Sequence, residues 1–113
     1  MTIKIAVAGA RGRMGQLIIE EVSRFNDLEL VAGFDILGVG DALGGGVVVS
    51  DASDLAEVLK RSGAEVLIDF TTPAATTENV RVAADLGVNL VVGTTGLSED
   101  QKREMARVVE GRV

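Results

Sequence analysis

The sequence contains no cysteine and no histidine. The first absence excludes disulfides and thiolate metal sites, and a reducing compartment is the simplest setting for such a chain. The second removes the commonest general base and the commonest metal ligand, so no metal site is expected. Tryptophan and tyrosine are also missing, and there is a single proline. Positive charge is scarce: 11 Lys and Arg stand against 17 Asp and Glu, a formal charge of -6. Nucleic acid calls for a basic face that displaces counterions, so no nucleic-acid partner is expected. No apolar run is long enough to cross a bilayer and no signal-peptide pattern opens the chain, which gives the expectation of a soluble, cytoplasmic protein without a membrane partner. A length of 113 residues is one domain, residues 1–113, large enough to bury a core without staples.

What the chain has is glycine, 14 residues of it, and the most informative lie near the start. Ile3-Lys4-Ile5-Ala6-Val7-Ala8 is an apolar run that leads directly into Gly9-Ala10-Arg11-Gly12-Arg13-Met14-Gly15. Helix-periodic residues follow, so the stretch reads as a buried strand, a tight turn and a helix start. Gly9 allows the backbone to leave the strand sharply. Gly12 lets the main chain approach a ligand phosphate, and Gly15 lets the helix pack against the strand. The free N–H groups of the first helical turn would face that ligand. The pattern is Gly-x-x-Gly-x-x-Gly, one residue longer in its first gap than the usual dinucleotide fingerprint. Its context strengthens it: a second apolar run, Leu28 to Phe34, ends in Asp35, twenty residues after Gly15. A carboxylate there is placed to accept hydrogen bonds from an adenosine ribose. Arg11 and Arg13 flank Gly12 and are candidate phosphate ligands against an acidic background, although most surface arginines are simply solvated charges.

Further along, strands and helices alternate. The first helix is expected from about Arg13 to Phe25, burying Met14, Leu17, Ile18, Val22 and Phe25 as one stripe. Ile36 to Gly46 carries five glycines and is expected to be an irregular, mobile loop. Val47-Val48-Val49 reads as a short strand. A second helix starts near Ser53-Asp54, buries Leu55, Val58 and Leu59, and stops at Ser62-Gly63. Glu65 to Phe70 is a strand; Thr72 caps a third helix with Pro73 at its first position, and Val80, Ala83 and Ala84 form its inner face. Val88 to Val92 is a strand, Gly93-Thr94-Thr95-Gly96 leaves it, and Ser98 with Gln101 makes a capping box for a fourth helix. After Gly111 another strand would be expected to begin. The alternation implies an α/β fold: a doubly wound parallel sheet, Rossmann-like, in the order 3-2-1-4-5 with helices on both faces. Ligands of such sheets bind beyond the carboxyl ends of the strands, where Gly9 to Met14, Phe70 to Thr72 and Gly93 to Thr95 converge.

Three of these segments, in order, carry a family resemblance: Val7-Ala8-Gly9-Ala10-Arg11-Gly12-Arg13-Met14-Gly15, Ile68-Asp69-Phe70-Thr71-Thr72-Pro73 and Val92-Gly93-Thr94-Thr95-Gly96. The chain resembles the 4-hydroxy-tetrahydrodipicolinate (dihydrodipicolinate) reductases of the diaminopimelate route to lysine, over essentially its whole length. The resemblance implies an NAD(P)H-dependent reduction of a cyclic imine-type substrate. It implies that Gly9, Ala10, Arg11, Gly12, Arg13 and Met14 hold the cofactor pyrophosphate and that Asp35 binds the adenosine ribose. Gly93, Thr94 and Thr95 would then lie along the nicotinamide half, with Phe70 and Thr71 lining the same crevice.

Two departures from the family pattern matter. NADPH-preferring members usually place an arginine directly after the ribose acid, whereas here Ile36 and Leu37 follow Asp35. A carboxylate repels a 2′-phosphate, so NADH is expected to bind at least as well as NADPH, with Arg11 able to keep dual use open. The family's proton-donating histidine and lysine motif has no match here, and Lys4, Lys60 and Lys102 read as ordinary solvated charges. No catalytic residue is therefore assigned: the expectation is the cofactor-binding half of the reductase, its substrate domain lying elsewhere, with any homo-oligomer built largely from that other domain. The alternative from a different class is a stand-alone NAD(P)-binding module or regulatory sensor.

Overall fold

The computed structural model describes residues 2–109, so the strand expected after Gly111 lies outside the described residues. The elements are β1 (Ile3–Ala8), α1 (Arg13–Val22), β2 (Leu28–Asp35), β3 (Ala42–Gly44), β4 (Val47–Asp51), α2 (Leu55–Ser62), β5 (Val66–Asp69), α3 (Pro73–Asp85), β6 (Asn89–Val92) and α4 (Glu99–Val109). One six-stranded sheet runs β3-β4-β2-β1-β5-β6. Strands β4, β2, β1, β5 and β6 are mutually parallel, and their spatial order is the expected 3-2-1-4-5. The addition is β3, which pairs antiparallel with β4 and makes the sheet mixed.

β3 falls in the segment expected to be an irregular loop. Gly44, Gly45 and Gly46 all have positive φ, at 106°, 61° and 83°, a run that only glycine adopts without strain. It folds the chain back as a hairpin, pairing Ala42 with Val48. Leu43 lies over the bare backbone of Gly33, where an added Cβ would fall 2.3 Å from the leucine Cδ1.

Helices cover both faces of the sheet. On one side Ala6 and Ala8 of β1, Ala32 and Phe34 of β2 and Leu67 of β5 pack against Leu55, Val58 and Leu59 of α2 and Ala83 of α3. On the other, Ile5 and Val7 meet Val22, Ile18 and Ile19 of α1. Leu59 and Leu67 are 1% and 0% exposed, and each contributes on the order of 1.5–3 kcal/mol by burial. Gly63 (φ 71°) terminates α2 in the left-handed conformation, Thr72 caps α3 with Pro73 behind it, and Ser98 and Gln101 close the capping box of α4.

The expected apolar stripe of α1 is only partly buried. Met14, Leu17 and Phe25 are 46%, 51% and 53% exposed. Gly15 sets the rotation of the helix: a Cβ there would fall 2.0 Å from the Gly9 carbonyl oxygen. The line of contact with the sheet therefore runs through Gly15, Ile18, Ile19 and Val22, leaving Met14 and Leu17 to one side. The helix also ends at Val22 and not at Phe25, because Arg24 and Phe25 turn back with their N–H groups on the carbonyls of Glu21 and Val22.

Candidate functional site

The carboxyl ends of β1, β2 and β5 open into a cleft of about 360 Å³, lined among others by Gly9, Gly12, Asp35, Phe70 and Thr71. That volume is in the range of small-molecule sites. The Gly9 turn forms its floor. Gly9 has φ 84°, and the N–H groups of Gly9 and Ala10 both donate to the Phe34 carbonyl, at 2.9 and 3.0 Å. A Cβ on Gly9 would fall 2.4 Å from the Phe70 carbonyl oxygen, so the position is closed to any other residue on both counts. Gly12 differs. Its φ of -72° is available to any residue, and what glycine gives there is an exposed main chain without a side chain in front of it.

Gly12 is the N-cap of α1 and supplies no side-chain cap; the first turn carries no acidic residue either. In α3 and α4, by contrast, the caps Thr72 and Ser98 spend their side chains on the helix's first N–H groups. The start of α1 thus offers backbone donors and the positive end of the helix to whatever enters the cleft, a set suited to an anion.

Asp35 stands at the end of β2 beside this turn. Its Oδ2 accepts from the Arg11 N–H at 2.9 Å, and its Oδ1 accepts from the N–H groups of Ile36 and Leu37 at 2.8 and 3.2 Å. The carboxylate is fixed in place with acceptor capacity left over, since two oxygens offer about four lone-pair sites. Nearby, at the start of the turn into α2, the exposed Asp51 accepts from the Ser53 N–H and hydroxyl, at 2.9 and 2.8 Å. Those bonds, the backbone one first, hold its carboxyl below the ordinary carboxylate range.

The sequence-level candidates are placed unequally. Gly9, Gly12 and Asp35 line the cleft together. Ala10 is fully buried beneath the turn, its N–H spent on the Phe34 carbonyl, and it does not line the cleft. The Arg11 side chain runs away from the cleft toward Asp41, 3.7 Å distant. Arg13 is exposed, and Met14 projects onto the outer surface of α1 beside Leu17 and Phe25. Gly93 lies under the Phe70 ring, where a Cβ would come within 2.2 Å of the ring carbons. Thr94 is half-buried and Thr95 exposed.

A polar cluster under the Phe70–Thr72 segment escapes a sequence reading. The Asp69 carboxylate is fully buried. Its Oδ1 accepts from the Thr71 N–H at 3.0 Å and the Thr71 hydroxyl at 2.6 Å, and lies 3.2 and 3.3 Å from the hydroxyls of Thr76 and Thr94. Its Oδ2 accepts from Asn79 at 3.0 Å. Thr94 in turn accepts from the Thr71 N–H at 2.9 Å and the Thr76 hydroxyl at 2.7 Å. With its own proton on Asp69, the Thr94 hydroxyl is saturated. It ties the loop after β6 to β5 and α3; Gly93, Thr94 and Thr95 themselves are not among the residues that line the cleft. The only local signal is an acid ending a buried strand; its partners are scattered over two other elements.

Comparison with known proteins bears on this site. The family described as dihydrodipicolinate reductase, N-terminus, matches residues 3–111. The 4-hydroxy-tetrahydrodipicolinate reductase of Methanosarcina barkeri is 47% identical over 119 residues, covering 98% of this chain and 45% of that protein. The one from Methanocaldococcus jannaschii is 42% identical, covering 96% and 43%. The chain therefore spans less than half the length of these relatives. Among solved structures, a dipicolinate-bound dihydrodipicolinate reductase from Paenisporosarcina sp. TG-14 has a TM-score of 0.79 at 29% identity, over 96% of this chain and 43% of that one. A myo-inositol dehydrogenase from Corynebacterium glutamicum shares the fold, with a TM-score of 0.80 at 22% identity over 97% of this chain and 33% of its own.

Proposed function

Since this chain belongs to the family of dihydrodipicolinate reductase N-terminal domains, we propose that it is the cofactor-binding half of an NAD(P)H-dependent 4-hydroxy-tetrahydrodipicolinate reductase. The observation that carries this is the cleft itself: an uncapped helix start and a fixed carboxylate face each other across the Gly9 turn. A nicotinamide dinucleotide needs both, an anion site for its pyrophosphate and an acceptor for its ribose hydroxyls. The cofactor supplies the hydride.

The chain's own residues bind and orient. Main-chain N–H groups of the first turn of α1 take the pyrophosphate, which Gly12 admits because no side chain stands in front of it. Asp35 accepts from the adenosine ribose. Phe70, over Gly93, lines the nicotinamide end, and the main chain of Gly93–Thr95, held by Asp69, lies beside it. Proton donation and substrate binding fall to residues beyond this set, in the part of the relatives that this chain does not span. Of the two cofactors, NADH is the better fit to Asp35, whose charge opposes a 2′-phosphate.

Titrating the Asp35→Ala variant tests the assignment. Loss of a hydrogen bond to a charged group costs roughly 1.5–3 kcal/mol, so NADH should weaken at least about tenfold and NADPH less. Unchanged NADH affinity would remove Asp35 from the site.

A further inference from the structure

We propose that Asp41 biases the choice between the two dinucleotides by holding the Arg11 guanidinium away from the place a 2′-phosphate would occupy; this rests on the cofactor site described above. The residues that follow Asp35 are Ile36 and Leu37, so no cation stands in the usual position beside the ribose acid. Arg11 is the cation tied to it, through the bond from its own N–H to Asp35 Oδ2. The Arg11 side chain, however, reaches across to Asp41, Nη2 to Oδ2 at 3.7 Å.

The pairing is built into the backbone. Gly38 (φ 70°) presents a bare face on which both side chains close: a Cβ there would fall 2.9 Å from Arg11 Nε and 2.8 Å from Asp41 Oδ2. Asp41 is anchored at both ends, its N–H on the Gly38 carbonyl at 2.9 Å and its carbonyl accepting from Val49 of β4 at 2.9 Å. Arg11 is anchored by Asp35. Two fixed main chains thus aim the two charges at each other, which lowers the entropy that an exposed pair must otherwise lose.

The consequence differs between the two cofactors. NADH brings a 2′-hydroxyl, which donates to Asp35 and makes no demand on Arg11. NADPH brings a doubly charged phosphate, which must draw the guanidinium off Asp41 and then face that carboxylate unpaired. Because both groups are partly solvated, 39% and 54% exposed, the effect is a several-fold bias and not a block.

The test is calorimetric titration of this chain with NADH and with NADPH at low salt, for the wild type, Asp41→Asn and the double variant Arg11→Ala/Asp41→Asn. Asparagine keeps the size of the side chain and leaves the main-chain bonds of the turn in place. Asp41→Asn should tighten NADPH roughly three- to tenfold while NADH stays within about twofold. The gain should vanish in the double variant and shrink at high salt. An unchanged NADPH affinity, an equal shift in both cofactors, or a gain that survives loss of Arg11 would each overturn the assignment of Asp41. If the wild type bound neither cofactor, the cofactor site itself would be wrong, and Asp41 would have nothing to select.

Discussion

Gly9, Gly12 and Gly15 share a motif but not a reason. Gly9 is required by its backbone angle and by the Phe70 carbonyl, Gly15 by the close approach of α1 to the Gly9 turn. Gly12 has an ordinary φ, and a Cβ there would meet only the Gly9 carbonyl oxygen at 3.3 Å. Substitutions should separate the three. Gly15→Ala forces the helix off the turn and should cost about 1–3 kcal/mol of stability, read from denaturant unfolding. Gly12→Val should cost less stability than Gly15→Ala, since its Cβ meets the Gly9 carbonyl oxygen at 3.3 Å and not 2.0 Å, yet abolish dinucleotide binding, because a branched side chain would stand where the pyrophosphate is proposed to approach. Normal binding by that variant would contradict the role given to Gly12. Thr94 offers a second separation. Thr94→Val removes the hydroxyl that joins Asp69, Thr71 and Thr76, whereas Thr94→Ser keeps it. Loss of binding with valine and its recovery with serine, by titration with NADH, would place the hydroxyl in positioning the loop.

At the level of elements, the signals that the sequence carries are local ones. The caps of α3 and α4, the glycine that ends α2 and the acid that ends β2 each depend on residues within a few positions, and each stands where pattern reasoning puts it. The features it hides are set at long range. The rotation of α1 follows from Gly15 meeting Gly9, so Met14 and Leu17 read as core while being half exposed, and Phe25 does so because the helix ends before it. β3 is masked by its glycines, whose composition reads as loop although their positive φ angles build the hairpin. The Asp69 cluster draws on β5, α3 and the loop after β6, and no spacing in the sequence announces it. The turn into α2 carries a pH prediction. The Asp51 carboxyl is held below the ordinary carboxylate range by its bonds from Ser53. Its contribution is therefore fully present above the unfolded-chain pKa of about 4 and is lost as pH falls through the lower folded value. A carbon-13 titration should show Asp51 protonating at lower pH than a free aspartate, and Ser53→Ala should move it back toward the ordinary range.

For the whole molecule, the sheet carries its core on two faces and its binding crevice at the carboxyl ends of its central parallel strands, so the two can be perturbed apart. Leu59→Ala, at a fully buried position of α2, should destabilise the chain by roughly 2–5 kcal/mol in chemical unfolding without changing affinity in the fraction that remains folded. The family assignment covers this sheet and its helices, which correspond to less than half the length of the relatives. The central claim is therefore about binding: a nicotinamide dinucleotide enters the cleft between the start of α1 and the end of β2. Backbone amide chemical shifts, followed by NMR as NADH is added to the chain, test it most directly. The largest changes should fall at Gly12 to Gly15, at Asp35 to Leu37 and at Gly93 to Thr95, with α4 little affected. Changes confined to other surfaces, or none at saturating NADH in a folded chain, would contradict it.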